Sequence, residues 1–141
     1  MATNESIPYW DTGDTITCVT SAAVTGCRFV KISGARQLDA AGNPKSNPTV
    51  AHAAAATDAV FGVAAYDAAS GAAVTVHHQP AIVCDVESGG VFAAGDPVVP
   101  DASGRAVKAG TGVAAAGIAL DASTGAGQKV PVDRSVRAVG A

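Results

Sequence analysis

Four times in this 141-residue chain an Asp is followed three or four residues later by a Gly, with only Ala, Ser or Thr between them. The units are Asp39-Ala-Ala-Gly42, Asp67-Ala-Ala-Ser-Gly71, Asp101-Ala-Ser-Gly104 and Asp121-Ala-Ser-Thr-Gly125. A carboxylate accepts hydrogen bonds from backbone N–H groups just downstream, and Gly takes positive φ without a Cβ clash. Each unit therefore reads as a tight chain reversal. Short Val-rich runs lie around them, at 60–66, 73–78, 81–86, 113–120 and 128–132. Strand, turn and strand at such spacing predict an all-β fold, one small sandwich or barrel with an extended N-terminal arm. The Asp residues are read as turn residues. Neither the acidic loop of an EF-hand nor the Gly-Gly-x-Gly-x-Asp repeat is present, so calcium is not indicated.

Composition sets the kind of core. Apolar residues make up 48% of the chain but aromatics only 4%, so Val and Ala must fill the interior. Each buried Val contributes about 1.5–2 kcal/mol, the low end for apolar side chains. A single copy should be modestly stable and gain from the surface buried in an oligomer. The Ala-rich stretch 51–59 would favour helix by propensity. His52, Thr57 and Asp58 interrupt it, and so short a helix is marginal in water. A strand over 49–53 with a turn at 56–58 is expected, a single helical turn being the alternative.

The chain also reads as two unequal copies of one pattern. The first has Val24-Thr-Gly26-Cys-Arg-Phe-Val30, the Asp39 turn, Gly62-Val-Ala-Ala-Tyr-Asp67 and Val74-Thr-Val76. The second has Ala93-Ala-Gly95-Asp-Pro-Val98, the Asp101 turn, Gly117-Ile-Ala-Leu-Asp121 and Val130-Pro-Val132. Residues 1–14 form the arm and 15–141 the β-domain, with quasi-repeats over about 24–87 and 91–139. An insertion at 42–48, rich in Gly, Asn and Pro, has the composition of a surface loop. Two copies are too few for a solenoid and fit two halves of one domain.

Catalytic patterns are missing. The chain has no phosphate-binding P-loop and no Gly-x-Ser-x-Gly nucleophile elbow. Adjacent strand residues point to opposite faces, so His77 and His78 cannot both line one site. A metal site from His52, one of that pair and Asp85 or Glu87 is the weaker reading, and neither metal nor cofactor is expected. Cys18, Cys27 and Cys84 lack metal-ligand spacing. Cys18 and Cys27 could face each other if 16–20 and 28–32 paired as a hairpin, but buried thiols are the commoner outcome. The net charge of −3 comes without a basic cluster, which argues against nucleic acid. No apolar run is long enough to span a bilayer and no signal pattern opens the chain, so a cytoplasmic origin is expected.

The N-terminal segment carries Ile7-Pro8-Tyr9-Trp10, including the only Trp. Pro8 disfavours helix, so this piece should be extended. Ile7, Pro8, Tyr9 and Trp10 are the candidate partner-binding residues, since an extended arm with aromatic anchors can add a strand or fill a pocket. The alternative is that Tyr9 and Trp10 fold back over their own domain.

Taken in order, the Val24–Val30 segment, Phe61-Gly-Val-Ala-Ala-Tyr66-Asp67, Gly71-Ala-Ala-Val74-Thr-Val76, Ala94-Gly-Asp96-Pro-Val98, Gly104-Arg, Gly117-Ile-Ala-Leu-Asp121 and Gly125 resemble the head decoration, or capsid cement, proteins of tailed bacteriophages. The likeness spans roughly residues 13–132 and is greatest to those of actinobacterial phages. The resemblance implies a non-enzymatic virion protein on the outer capsid surface, commonly a homotrimer at three-fold and quasi-three-fold positions. There it would bind the major capsid protein and tie neighbouring subunits together. The competing classes are a virion-surface adhesion or carbohydrate-binding β-domain, which should expose loop aromatics, and a small hydrolase, which would need clustered Asp and His.

Overall fold

Alternating burial is what turns the Val-rich runs into strands: Val74 and Val76 point inward from one strand and Val130 and Val132 from another, with exposed or half-buried residues before and between them. The computed structural model describes residues 15–36, 39–43, 46–78, 83–135 and 138–140, together with the backbone of 8–10. Among these the regular elements are all strands. In chain order they are β1 (Pro8–Trp10), β2 (Thr15–Thr20), β3 (Phe29–Gly34), β4 (Thr49–His52), β5 (Gly62–Ala64), β6 (Ala73–His77), β7 (Val83–Glu87), β8 (Pro97–Pro100), β9 (Ala106–Lys108), β10 (Gly117–Ala119) and β11 (Lys129–Asp133). The fold is all-β.

Strands β2-β4-β3-β5-β6 close a barrel, and β1-β7-β11-β10-β8-β9 form a six-stranded sheet. One pairing pattern runs through both. In the barrel β6 lies antiparallel to β2 and β5, and β3 lies antiparallel to β4 and β5. In the sheet β11 lies antiparallel to β7 and β10, and β8 lies antiparallel to β9 and β10. The parallel β2–β4 pair that closes the barrel has its counterpart in a single parallel bridge between Ser88 and Ala106. Bridges Val24–Ala68 and Phe92–Ser123 also correspond.

This registration corrects two sequence assignments. β7, placed at the end of the first repeat, is hydrogen-bonded to β11 and β1 and matches β2. The residue that matches Gly95 is Cys27, not Gly26: both N–H groups bond the equivalent strand, to Ala64 and Ala119, and both have positive φ. The supposed hairpin of 16–20 with 28–32 is also absent, because β2 is flanked by β4 and β6. All three cysteines are buried thiols outside any disulfide. Burial raises the Cys18 thiol pKa to about 11, so it stays protonated and inert.

Each half has its own core. Cys18, Val24, Val30, Val50, Ala64, Val74 and Val76 fill the barrel. Their counterparts Val86, Phe92, Val98, Ala106, Ala119, Val130 and Val132 fill the other half. Phe29, Ala53 and Val63 of the barrel side pack into that second core, and so join the halves. At 51–59 the strand ends at His52, and a turn at Ala56 and Thr57 follows.

Candidate functional site

The Asp units separate into two kinds. Asp39 Oδ1 accepts the amides of Ala41 and Asn43, each at 2.9 Å, and Asp101 Oδ1 accepts those of Ser103 at 2.8 Å and Arg105 at 2.9 Å. In both, the Gly amide bonds back to the Asp carbonyl, and Gly42 and Gly104 have φ of 84° and 78°. These short units are one turn used twice. Burial raises the Asp101 pKa, but the Arg105 and Ser103 amides and the Arg105 side chain outweigh it, and the group lies below its ordinary value. For Asp39, the Asn43 amide and side chain lower it.

The longer units differ. Asp67 reaches across to the Gly26 amide at 2.9 Å, and Gly71, with φ of 78°, donates to Thr20. Asp121 accepts only its neighbour's amide, Ala122, among the hydrogen bonds resolved. Gly125 does not occupy the left-handed region; Gly127 does, with φ of 89°, and its amide bonds Ser88 as Gly71 bonds Thr20. The expectation for Gly125 fails because Gln128 organises this turn: its Oε1 accepts the Thr124 amide and the Ser123 hydroxyl. The Gly125 carbonyl instead accepts the hydroxyls of Ser88 and Ser123.

Of the arm candidates, Ile7 lies outside the described residues. Pro8, Tyr9 and Trp10 form β1, an edge strand antiparallel to β7, with Pro8 opposite Cys84 and Trp10 opposite Val83. The arm thus extends the chain's own sheet.

Between the halves runs a polar seam that sequence reading missed. Arg28 donates through both Nε (3.0 Å) and a terminal nitrogen (3.2 Å) to the Glu87 carboxylate, which Lys129 approaches at 3.7 Å. The Phe29 amide bonds Gly104 O and the Glu87 amide bonds Cys27 O. At another point Arg134 donates to the carbonyls of Val60, Phe61, His77 and His78, at 3.2–3.5 Å. Beside Arg134 a cleft of about 600 Å³ opens between loops 56–60 and 112–116. These partners lie dozens of residues apart in the chain, so no local pattern could have announced them.

His77 is buried while His78 stacks on Phe61, with ring centroids 5.1 Å apart. Among the described residues no group of three His, Cys, Asp or Glu is placed to hold a metal ion. The described surface exposes the large apolar side chains of Ile32, Val91, Leu120 and Val139.

The family model of phage cement proteins matches residues 10–134. The chain belongs to the phage cement protein family. That family is a structural one and not an enzyme class, so this is a capsid-associated structural protein of a phage virion. No curated protein matches the cement chain. Among solved structures, one described as the head fiber gp8.5 N base of bacteriophage phi29 is similar at 23% identity and a TM-score of 0.64. The likeness covers 84% of the cement chain and 91% of the phi29 chain, and it shows a shared fold.

Proposed function

We propose that the protein binds the outer surface of the mature capsid as a homotrimer and holds neighbouring major capsid subunits together. The observation that carries this reading is the family match across 10–134, which takes in both halves and reaches into β1. A host among the actinobacteria is part of this proposal, and only the order of motifs in the sequence supports it. In this reading the turns and seam make a stiff body, and segment 7–10 supplies the contact to the capsid.

The arm's position defines the alternative to be tested. β1 lies on β7, so it either presents its outer edge and side chains to the capsid or serves only its own sheet. Deleting residues 1–12 and, separately, Trp10→Ala distinguishes these. Co-sedimentation of the full chain and both variants with purified capsids of its phage should show saturable binding by the wild type. Trp10→Ala should bind at least about tenfold more weakly, a loss of about 1.4 kcal/mol, with an unchanged melting temperature. A lower melting temperature with undiminished capsid affinity would assign the arm to its own domain. Failure of the wild type to bind capsids at all would overturn the cement reading.

A further inference from the structure

His52 ends β4 where the halves meet, and its Cβ lies beside Gly104 of the second half. Its Nε2 accepts the Thr25 amide N–H at 2.8 Å. Thr25 belongs to the loop 21–28 between β2 and β3, the same loop that carries most of the seam. Within and just after it, Cys27 O receives the Glu87 amide at 2.7 Å, Arg28 grips the Glu87 carboxylate, and the Phe29 amide reaches Gly104 O at 2.8 Å. Cys27 holds φ of 61° there, a conformation a non-Gly residue keeps only when its surroundings impose it.

We propose that His52 is an acid-sensitive latch: as the neutral imidazole it pins loop 21–28 against the second half, and as the imidazolium it releases that loop and loosens the seam. A backbone N–H can only donate, so the nitrogen facing Thr25 must carry a lone pair, and the proton of the neutral ring sits on Nδ1. Protonation of Nε2 sets one N–H against another and adds a positive charge near the Arg28 guanidinium. Of the groups facing the ring, Arg28 opposes protonation, while the Thr25 backbone and the carboxylates of Asp101 and Glu87 favour it. Both carboxylates are already engaged: Glu87 by Arg28 and Lys129, Asp101 by Arg105 and its own turn. Burial of the ring, reinforced by Arg28, outweighs them and holds the imidazole below its ordinary value.

The sign follows from linkage. A group that binds its proton less readily folded than unfolded stabilises the fold fully above the unfolded pKa, near 6.5 for His. That contribution is lost as pH falls from there through the lower folded value. The latch belongs to the fold and does not depend on what the protein binds.

The test is urea unfolding of the full chain and of His52→Gln at about pH 7.5 and about pH 5, a window in which His titrates and Asp stays ionised. Gln keeps an acceptor for Thr25 and never titrates. The wild-type midpoint should fall on acidification while that of His52→Gln stays constant. Nitrogen NMR of wild-type His52 provides a second reading: an Nδ1–H tautomer titrating below the ordinary value, with the Thr25, Phe29 and Glu87 amides shifting and exchanging faster along the same curve. Equal loss of stability in both proteins, or a His52 that titrates at or above the ordinary value, would overturn the proposal. If His52→Gln does not fold, the wild-type titration alone decides.

Discussion

A turn residue matters by what its atoms touch, and four units that look alike in sequence do not touch alike. Adding a Cβ at Gly104 would strain a left-handed backbone and place a carbon 2.8 Å from Phe29 O. At Gly125 φ is not left-handed and nothing lies within 4 Å. Gly104→Ala should therefore cost about 2–4 kcal/mol and Gly125→Ala no more than about 0.5 kcal/mol, both read from urea midpoints. The carboxylates divide the same way. Asp101→Ala strips acceptors from two amides and the Arg105 side chain and should cost about 1–3 kcal/mol, whereas Asp121→Ala should stay within about 0.5 kcal/mol. Equal effects at the paired positions would contradict the geometry. The Asp-x-x-Gly spacing was readable because the whole turn is local. The longer unit departs from that pattern because Gln128, just past its Gly, supplies the acceptor that Asp121 seemed to offer.

At the scale of elements, the strands were readable because burial alternates along them, while their partners were not. Period-2 alternation fixes a face but leaves the neighbour open, so nothing local in β7 tells that it pairs with β11 of the second half. Corresponding glycines reveal how closely the halves agree. A Cβ at Gly62 would clash with Val76 Cγ1, and one at Gly117 would lie 2.6 Å from Val132 Cγ1. Each would also overlap the next strand's backbone oxygen. Gly62→Ala and Gly117→Ala should each destabilise by about 2–3 kcal/mol or more, a test made by thermal unfolding of both variants. A neutral outcome in either would show that β5 or β10 does not sit against β6 or β11 as described. Acid acts on the connections. Lys31 and the Ala54 amide lower the Asp58 pKa, and the Ala93 amide and Lys108 lower that of Asp96. Groups shifted down stabilise above the unfolded carboxylate range and lose that contribution as pH falls through their folded values. Acid unfolding should thus show a carboxylate phase below about pH 4, separate from any change near His52.

For the molecule as a whole, the small-residue core foreseen from composition is the core observed: Val, Ala and Cys with Phe29 and Phe92. The family could be read from the order of weak motifs along nearly the full chain. The seam could not, since Arg28 meets Glu87, His52 meets Thr25, and Arg134 meets the carbonyls of Val60 and His77 only after folding. Thin cores of this kind favour assembly, and the homotrimer proposed above predicts a trimer mass by light scattering and a melting temperature that rises with protein concentration. A monomer mass at tens of micromolar would remove that part of the account. The proposed function requires that the protein reinforce a filled capsid. Its most direct measurement is the temperature at which DNA-filled capsids stripped of this chain release their DNA, with and without the purified protein added back. A cement role predicts a higher release temperature that saturates at a fixed ratio of chain to capsid subunit. Saturable binding that leaves the release temperature unchanged would contradict it.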